Sequence, residues 1–251
     1  MDFPELFHST PCISNVILKH LPVISIISLG RTCRSMRNHL NGMIYTLYKR
    51  RYFWYLEYCL GIGPMGFFEI FGTFENDDDV HISGSSVLAV LTGDFWHDVD
   101  VDVFMRSVYF NPYNHYMSLF KHDHIFMDKC TLFLQGLLKR GYTLHSLCTD
   151  DHVMVSNSGY YDLCVDLVQT LRIGQKKTMV QLIFPRKWPH IQDFDFSFCK
   201  NTFNVHALTI DDFESVLRKR CNGTTNVPLR YEKYVRRGFS KFNGNTFTGI
   251  N

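Results

Sequence analysis

The sequence predicts an α+β fold: a mixed β-sheet flanked by helices, preceded by a small helical segment. Three observations predict it. Short valine- and aromatic-rich runs alternate with polar residues at period two, and these are interleaved with segments whose apolar residues recur three and four apart. The first forty residues carry only the helical period. The third is bulk: 251 residues with 45% hydrophobic and 15% aromatic side chains suffice for one large domain with an appendage and exclude a disordered chain.

The helical start runs from Pro11 to Leu40, "CISNVILKHL", a break at Pro22, then "VISIISLGRTCRSMRNHL". We divide the chain there, residues 1–44 as a helical segment and 45–251 as the main domain. "YTLYKRRYFWYLEYCL" reads as an aromatic, basic helix from Tyr45 to Leu60 whose rings are core, stopped by "GIGPMG". The acidic "ENDDDV" that follows lacks the ligand spacing of a calcium loop and reads as solvated. "DVHIS" is a strand, "GSSVLAVLTG" a turn into a short helix, and "DVDVDVFM" a second strand. "HIFMDKCTLFLQGLLKRG" is a helix; "YTLHSLC" and "YYDLCVDLVQTL" are strands; "KTMVQLIFP" and "DFDFSFCKNTF" form a strand pair. Thr209 is the expected N-cap of "TIDDFESVLRKRC". "VPLRYEKYVRRGF" is a helix from Pro228 to Gly238, its tyrosines packed and Arg236 and Arg237 solvated.

Charge is uneven. Leu6 to Leu56 holds seven Lys/Arg and no acid, Glu75 to Asp102 eight acids and no Lys/Arg, and Glu214 to Phe242 eight Lys/Arg against two acids. That pattern suits a cation site with an anionic ligand beside it. No apolar run approaches the ~20 residues of a membrane span. The eight cysteines form no CxxC pair, and the N-terminus lacks a secretory pattern, so the expected location is intracellular, cytoplasmic or nuclear. The histidines of "NHYMSLFKHDHIF", His115, His122 and His124, have no partner at metal-site spacing and read as loop residues.

The informative stretch is "ISGSSVLAVLTGDFWHDVDVDVF". On a strand, residues i and i+2 share a face, so Asp100 and Asp102 aim two carboxylates into one space while Val101 and Val103 face the core. Two such groups raise one another's pKa unless a cation compensates, and Mg²⁺ or Mn²⁺ bridging phosphate oxygens would do so. Upstream, Gly84-Ser85-Ser86 opens a helix whose free N–H groups suit phosphate. Fourteen residues separate Ser85 from Asp100 and twelve separate it from Asp98, so two registers fit. Asp100 and Asp102 are the expected pair, because they precede Val103 and Phe104 in the strand interior, with Asp98 at its entrance.

A Gly-Ser helix start, a gap, then acid–apolar–acid–apolar resembles the signature of the nucleotidyltransferase superfamily, the polymerase-β-like fold. The likeness extends over about Val16 to Phe239, through "VQLIFPRKWPHIQDFDFSFC" and "LRYEKYVRRGF", to a fungal and large-virus subgroup. It implies metal-dependent transfer of a nucleoside monophosphate from a triphosphate to a hydroxyl of nucleic acid, protein or small molecule. Asp100 and Asp102 are implied metal ligands; Asp195 is the implied third carboxylate, activating the acceptor hydroxyl, with Asp166 its alternative. Gly84, Ser85 and Ser86 are implied to hold the triphosphate, with Lys176, Lys177 and Lys200 as possible neighbours. The start of the chain, through Leu21, Pro22, Leu29, Cys33, Arg34, Met36 and Arg37, resembles an F-box. That likeness implies a ubiquitin-ligase adaptor docked on residues 11–40 and gives the rival expectation, an interaction protein whose nucleotidyltransferase-like domain is inactive.

Overall fold

The computed structural model describes residues 11–63, 65–66, 71, 80–105, 124–149, 165–173, 179–185, 194, 196–204, 206–221 and 228–241. The acidic run at residues 75–79, and His115 and His122, lie outside them.

Three helices open the chain: α1 (Pro11–His20), α2 (Val23–Gly30) and α3 (Arg34–Leu60). The carbonyls that end α1 are capped by a cation, Arg51, whose guanidinium donates to Leu18 O at 2.7 Å and Leu21 O at 2.6 Å. Cys33 caps α3, its Sγ accepting from the Met36 N–H, and Gly61 ends it in the left-handed conformation at φ 69°. Between these caps α3 is unbroken, so the expected helix start at Tyr45 is wrong and the 44/45 boundary falls inside one helix. Gly42 does not break it, because two further helical turns on either side are anchored by buried Met36, Leu40, Tyr48 and Tyr52.

α3 faces two cores. Its first half joins Leu18 and Ile26 through Met36 and Leu40 in a small cluster. Its second half enters the main core through Tyr48, Tyr52, Phe53, Tyr55 and Leu56, where Val23 and Ile24 of α2 join it.

The main sheet has β1 (Val80–Ser83), β2 (Val101–Met105), β3 (Tyr142–Thr149), β4 (Val165–Ile173), β5 (Met179–Pro185), β6 (Thr202–Phe203) and β7 (Leu208–Thr209). Their order is β3-β4-β5-β2-β1-β6-β7. Only β2 and β5 pair in parallel; the rest are antiparallel, making the sheet mixed. Helix α4 (Ser85–Thr92) links β1 to β2, and α5 (His124–Leu138) precedes β3. A short α6 (Phe213–Leu217), β8 (Arg220–Cys221), α7 (Pro228–Arg236) and β9 (Ser240–Lys241) close the chain, β8 and β9 forming a parallel pair. The chain is thus a mixed α+β fold. Among the described residues no helix is long and apolar enough to cross a membrane.

Two local expectations fail. The aromatic run at 194–203 is not the partner of β5. Phe196 and Phe198 flank or enter a 3-10 turn, Ser197–Cys199, and among the described residues of this run only Thr202–Phe203 is strand, paired with β1. Phe198 instead stacks on Phe239 at 4.6 Å and meets Tyr234 edge-on at 4.7 Å. The N-cap of α6 is Asp212, whose carboxylate accepts the Ser215 N–H at 3.0 Å, whereas Thr209 belongs to β7.

Candidate functional site

β1 and β2 run antiparallel with Ser83 opposite Asp102. This register brings the end of β1, the turn at Gly84 and the start of α4 against the Asp102 side chain. Gly84 holds φ 78° and ψ −147°, a region open essentially to glycine. A Cβ there would stand 2.7 Å from Asp102 Oδ2. Backbone and carboxylate therefore share a space from which any side chain is excluded. No side chain caps the start of α4, whose N-cap is the same Gly84 that the Asp102 carboxylate adjoins.

β2 begins at Val101, so the expected strand from Asp98 is shorter than predicted, yet the alternation continues upstream. Val99, Val101 and Val103 are fully buried, while Asp100 and Asp102 turn to the other face. Asp102 Oδ1 is buried without a hydrogen-bond partner. Burial, reinforced by the neighbouring Asp100 charge, pushes the Asp102 carboxyl up to about 8, against the pull of Lys233 and Arg230. Asp100 is also raised by burial, opposed by Lys233, by a hydrogen bond from the Met179 backbone and by Arg237.

Asp98 behaves differently. Burial alone would raise it, but the hydrogen bond and charge of Arg237, with Lys233, hold it below the usual carboxylate range. Arg237 Nη2 donates to Asp98 Oδ1 at 2.9 Å and to its carbonyl at 3.0 Å. The same guanidinium lies 4.4 Å over the Trp96 ring. Arg237 is only 8% exposed, so the solvated arginine expected here is Arg236 alone. Asp98 is a satisfied ion pair, and Asp100 with Asp102 is the pair in electrostatic tension.

The cations that answer this tension come from α7 and the residue that follows it. Arg230, Lys233 and Arg237 recur three and four apart, one helix face. Lys233 is lowered by burial and by Arg237, and raised by Asp100, Asp102 and Asp98. Sequence reasoning missed Lys233, although its spacing from Arg230 and Arg237 was a legible signal.

The remaining predicted residues separate. Ser85 is buried at the helix start. Ser86 Oγ is 3.1 Å from Tyr52 Oη inside the core, leaving only its backbone N–H for the site. Asp166 is in β4, and β5 lies between that strand and β2. The row through Asp102 crosses Gln181 and Thr170, four residues from Asp166. Asp195, Lys176 and Lys177 lie outside the described residues, and Lys200 closes the 3-10 turn. Among the described residues no three His, Cys, Asp or Glu side chains are grouped to hold a metal ion. What they do present is a two-carboxylate site with one buried, unpartnered oxygen, a donor set of hard oxygens suited to a divalent cation.

No protein-family model matches the chain. No curated protein matches it either.

Proposed function

We propose that the chain is a nucleotidyltransferase of the polymerase-β-like fold, which binds a nucleoside triphosphate with Mg²⁺ or Mn²⁺ and moves the nucleoside monophosphate to a hydroxyl acceptor. One observation carries this reading. Asp102 adjoins Gly84 at the start of α4, where a Cβ would collide with it, with one oxygen buried and unpartnered and a second carboxylate two residues upstream. A carboxylate pair at a phosphate-ready helix start is poorly placed for stability and well placed for a metal-bound triphosphate.

In this reading Asp100 and Asp102 hold the cation, and Asp195 is the expected third carboxylate. Bound there, the cation supplies charge neutralisation to the triphosphate and polarises its phosphoryl oxygens. The N–H groups opening α4 bind non-transferred phosphates. Lys233 and Arg230 set positive charge opposite the pair and favour a polyanion. The acceptor hydroxyl attacks the α-phosphorus, the α–β phosphoanhydride bond breaks, and pyrophosphate leaves. The acceptor proton passes to a carboxylate, the role assigned to Asp195. The satisfied Asp98–Arg237 pair fixes the strand entrance and favours Asp100/Asp102 over Asp98/Asp100 as the metal register.

The test is calorimetric titration of ATP, GTP, CTP and UTP with Mg²⁺ or Mn²⁺ into wild type and the Asp100→Asn/Asp102→Asn variant. Metal-dependent binding that is lost in a folded variant is the expected result. A folded wild type that binds none of the four would sink the reading. The adaptor alternative would then come forward, favoured by the separate small core of Leu18, Ile26, Met36 and Leu40.

A further inference from the structure

The sheet sets one more polar side chain beside the aspartate pair. β2 and β5 run parallel, with Val101 opposite Val180, Asp102 opposite Gln181 and Val103 opposite Leu182. All four apolar members of this row belong to the main core, so alternation turns Gln181 to the same face as Asp102. The two strands track one another along the pair. The Met179 N–H bonds Asp100, and two residues further on Gln181 stands level with Asp102. Neighbouring strands lie about 4.8 Å apart, and a glutamine side chain is one carbon longer than that of aspartate.

On the other flank of Asp102 the polar chemistry is already engaged. Its partner in β1 is Ser83, which is fully buried and donates from Oγ to the Asn201 carbonyl at 2.7 Å. Gly84 follows with no side chain. Gln181 is only half-buried, and it leaves Asp102 Oδ1 without a hydrogen-bond partner from one strand away. Its amide is therefore not the donor that would make Asp102 Oδ1 an ordinary buried oxygen.

A divalent cation held by two carboxylates needs further oxygens, about six ligands in all for Mg²⁺. Among the described residues no third His, Cys, Asp or Glu is grouped with the pair. An amide carbonyl is a hard oxygen without charge. A third carboxylate in this row would add to the repulsion that Asp100 already exerts on Asp102, whereas an amide adds an oxygen and no repulsion. Two carboxylates alone balance the two charges of the cation.

We propose that Gln181, through its side-chain carbonyl, is a third and neutral ligand of the divalent cation held by Asp100 and Asp102. The assignment rests on the cation site of the nucleotidyltransferase reading and leaves Asp195 in its place beside the acceptor.

The experiment is titration of Mn²⁺, alone and with ATP, followed by the electron paramagnetic resonance of free Mn²⁺. It uses the full chain as wild type, Gln181→Met, Gln181→Glu and Asp102→Asn. Methionine keeps the length and removes the hard oxygen; glutamate keeps the oxygen and adds charge. Mn²⁺ affinity should fall about tenfold or more in Gln181→Met and rise in Gln181→Glu. Thermal melts add a sign that a packing role would not produce. Without cation Gln181→Glu should be less stable than wild type, and with Mn²⁺ it should gain more. If methionine prevents folding, the glutamate variant decides alone. Mn²⁺ binding that is lost in Asp102→Asn and unchanged in both Gln181 variants overturns the proposal and leaves the cation site standing. Unchanged Mn²⁺ affinity with weakened ATP binding would make the amide a phosphate contact and overturn it too. A folded wild type that binds no Mn²⁺, with or without ATP, removes the cation site and this ligand with it.

Discussion

The two sides of α4 are built on opposite rules. On its core side, polar atoms among the rings are satisfied: Tyr48 Oη donates to Val87 O at 3.3 Å, and Tyr52 Oη meets Ser86 Oγ. Tyr142 Oη donates to Leu60 O in the same way. At its N-terminal end, Asp102 Oδ1 is orphaned, and beyond it so are Nε and Nη1 of Arg237. The same chain that finds partners for tyrosine hydroxyls leaves a carboxylate without one. An unpaired buried polar atom costs about 1 to 3 kcal/mol; Asn201 Oδ1 is another among the described residues, and Asp102 differs from it in having a second carboxylate two residues upstream.

The core side should break hardest. Phe203 is fully buried with Tyr48 and Tyr52 rings 5.0 Å away. Phe203→Ala removes a ring around which the packing cannot collapse, and should destabilise by about 3 to 5 kcal/mol in chemical denaturation. A loss under about 1 kcal/mol would mean that this aromatic cluster does not form.

The turn between the two sides comes next. Gly84→Ala combines a strained backbone region with a Cβ only 2.7 Å from Asp102 Oδ2, a loss of about 2 to 3 kcal/mol. Adding Asp102→Ala relieves the collision but not the dihedral strain, so the double variant should recover part of the loss and show non-additivity. Additive losses would place Gly84 and Asp102 apart.

These two regions also differ in how far the sequence disclosed them. Gly84, Ser85, Asp100 and Asp102 were legible because a strand–turn–helix–strand unit is local and its alternation survives in Val99, Val101 and Val103. The separate fate of Asp98 was not, because its partner, Arg237, lies 139 positions away. The spacing of Lys233 from Arg230 and Arg237 was legible, but its approach to the aspartates was hidden for the same reason. The run "DFDFSFC" misled because alternating aromatics satisfy a strand and a 3-10 turn equally; only Tyr234 and Phe239, distant in sequence, select the turn. Trp54 and Tyr58, which stay exposed, misled in the other direction, since a run of aromatics on a helix suggests core on every side while α3 has only one buried face there.

The sharpest comparison is the smallest change, Asp102→Asn, which deletes a charge and keeps the shape. In wild type the folded carboxyl titrates near pH 8, the unfolded one near pH 4. Between those values the unfolded chain has already lost the proton that the folded chain retains. This group's contribution is therefore whole at acid pH and disappears as pH rises from about 4 to 8. Asparagine does not titrate, so the metal-free variant should gain on wild type through that window, reaching on the order of 2 to 3 kcal/mol by pH 6. That gain is about 5 to 10 °C in Tm for a domain of this size. Mg²⁺ with triphosphate should reverse the order by stabilising wild type alone. A variant that is less stable than wild type at pH 8 without metal would mean that Asp102 is a structural carboxylate with a partner, and the two sides of α4 would then obey one rule.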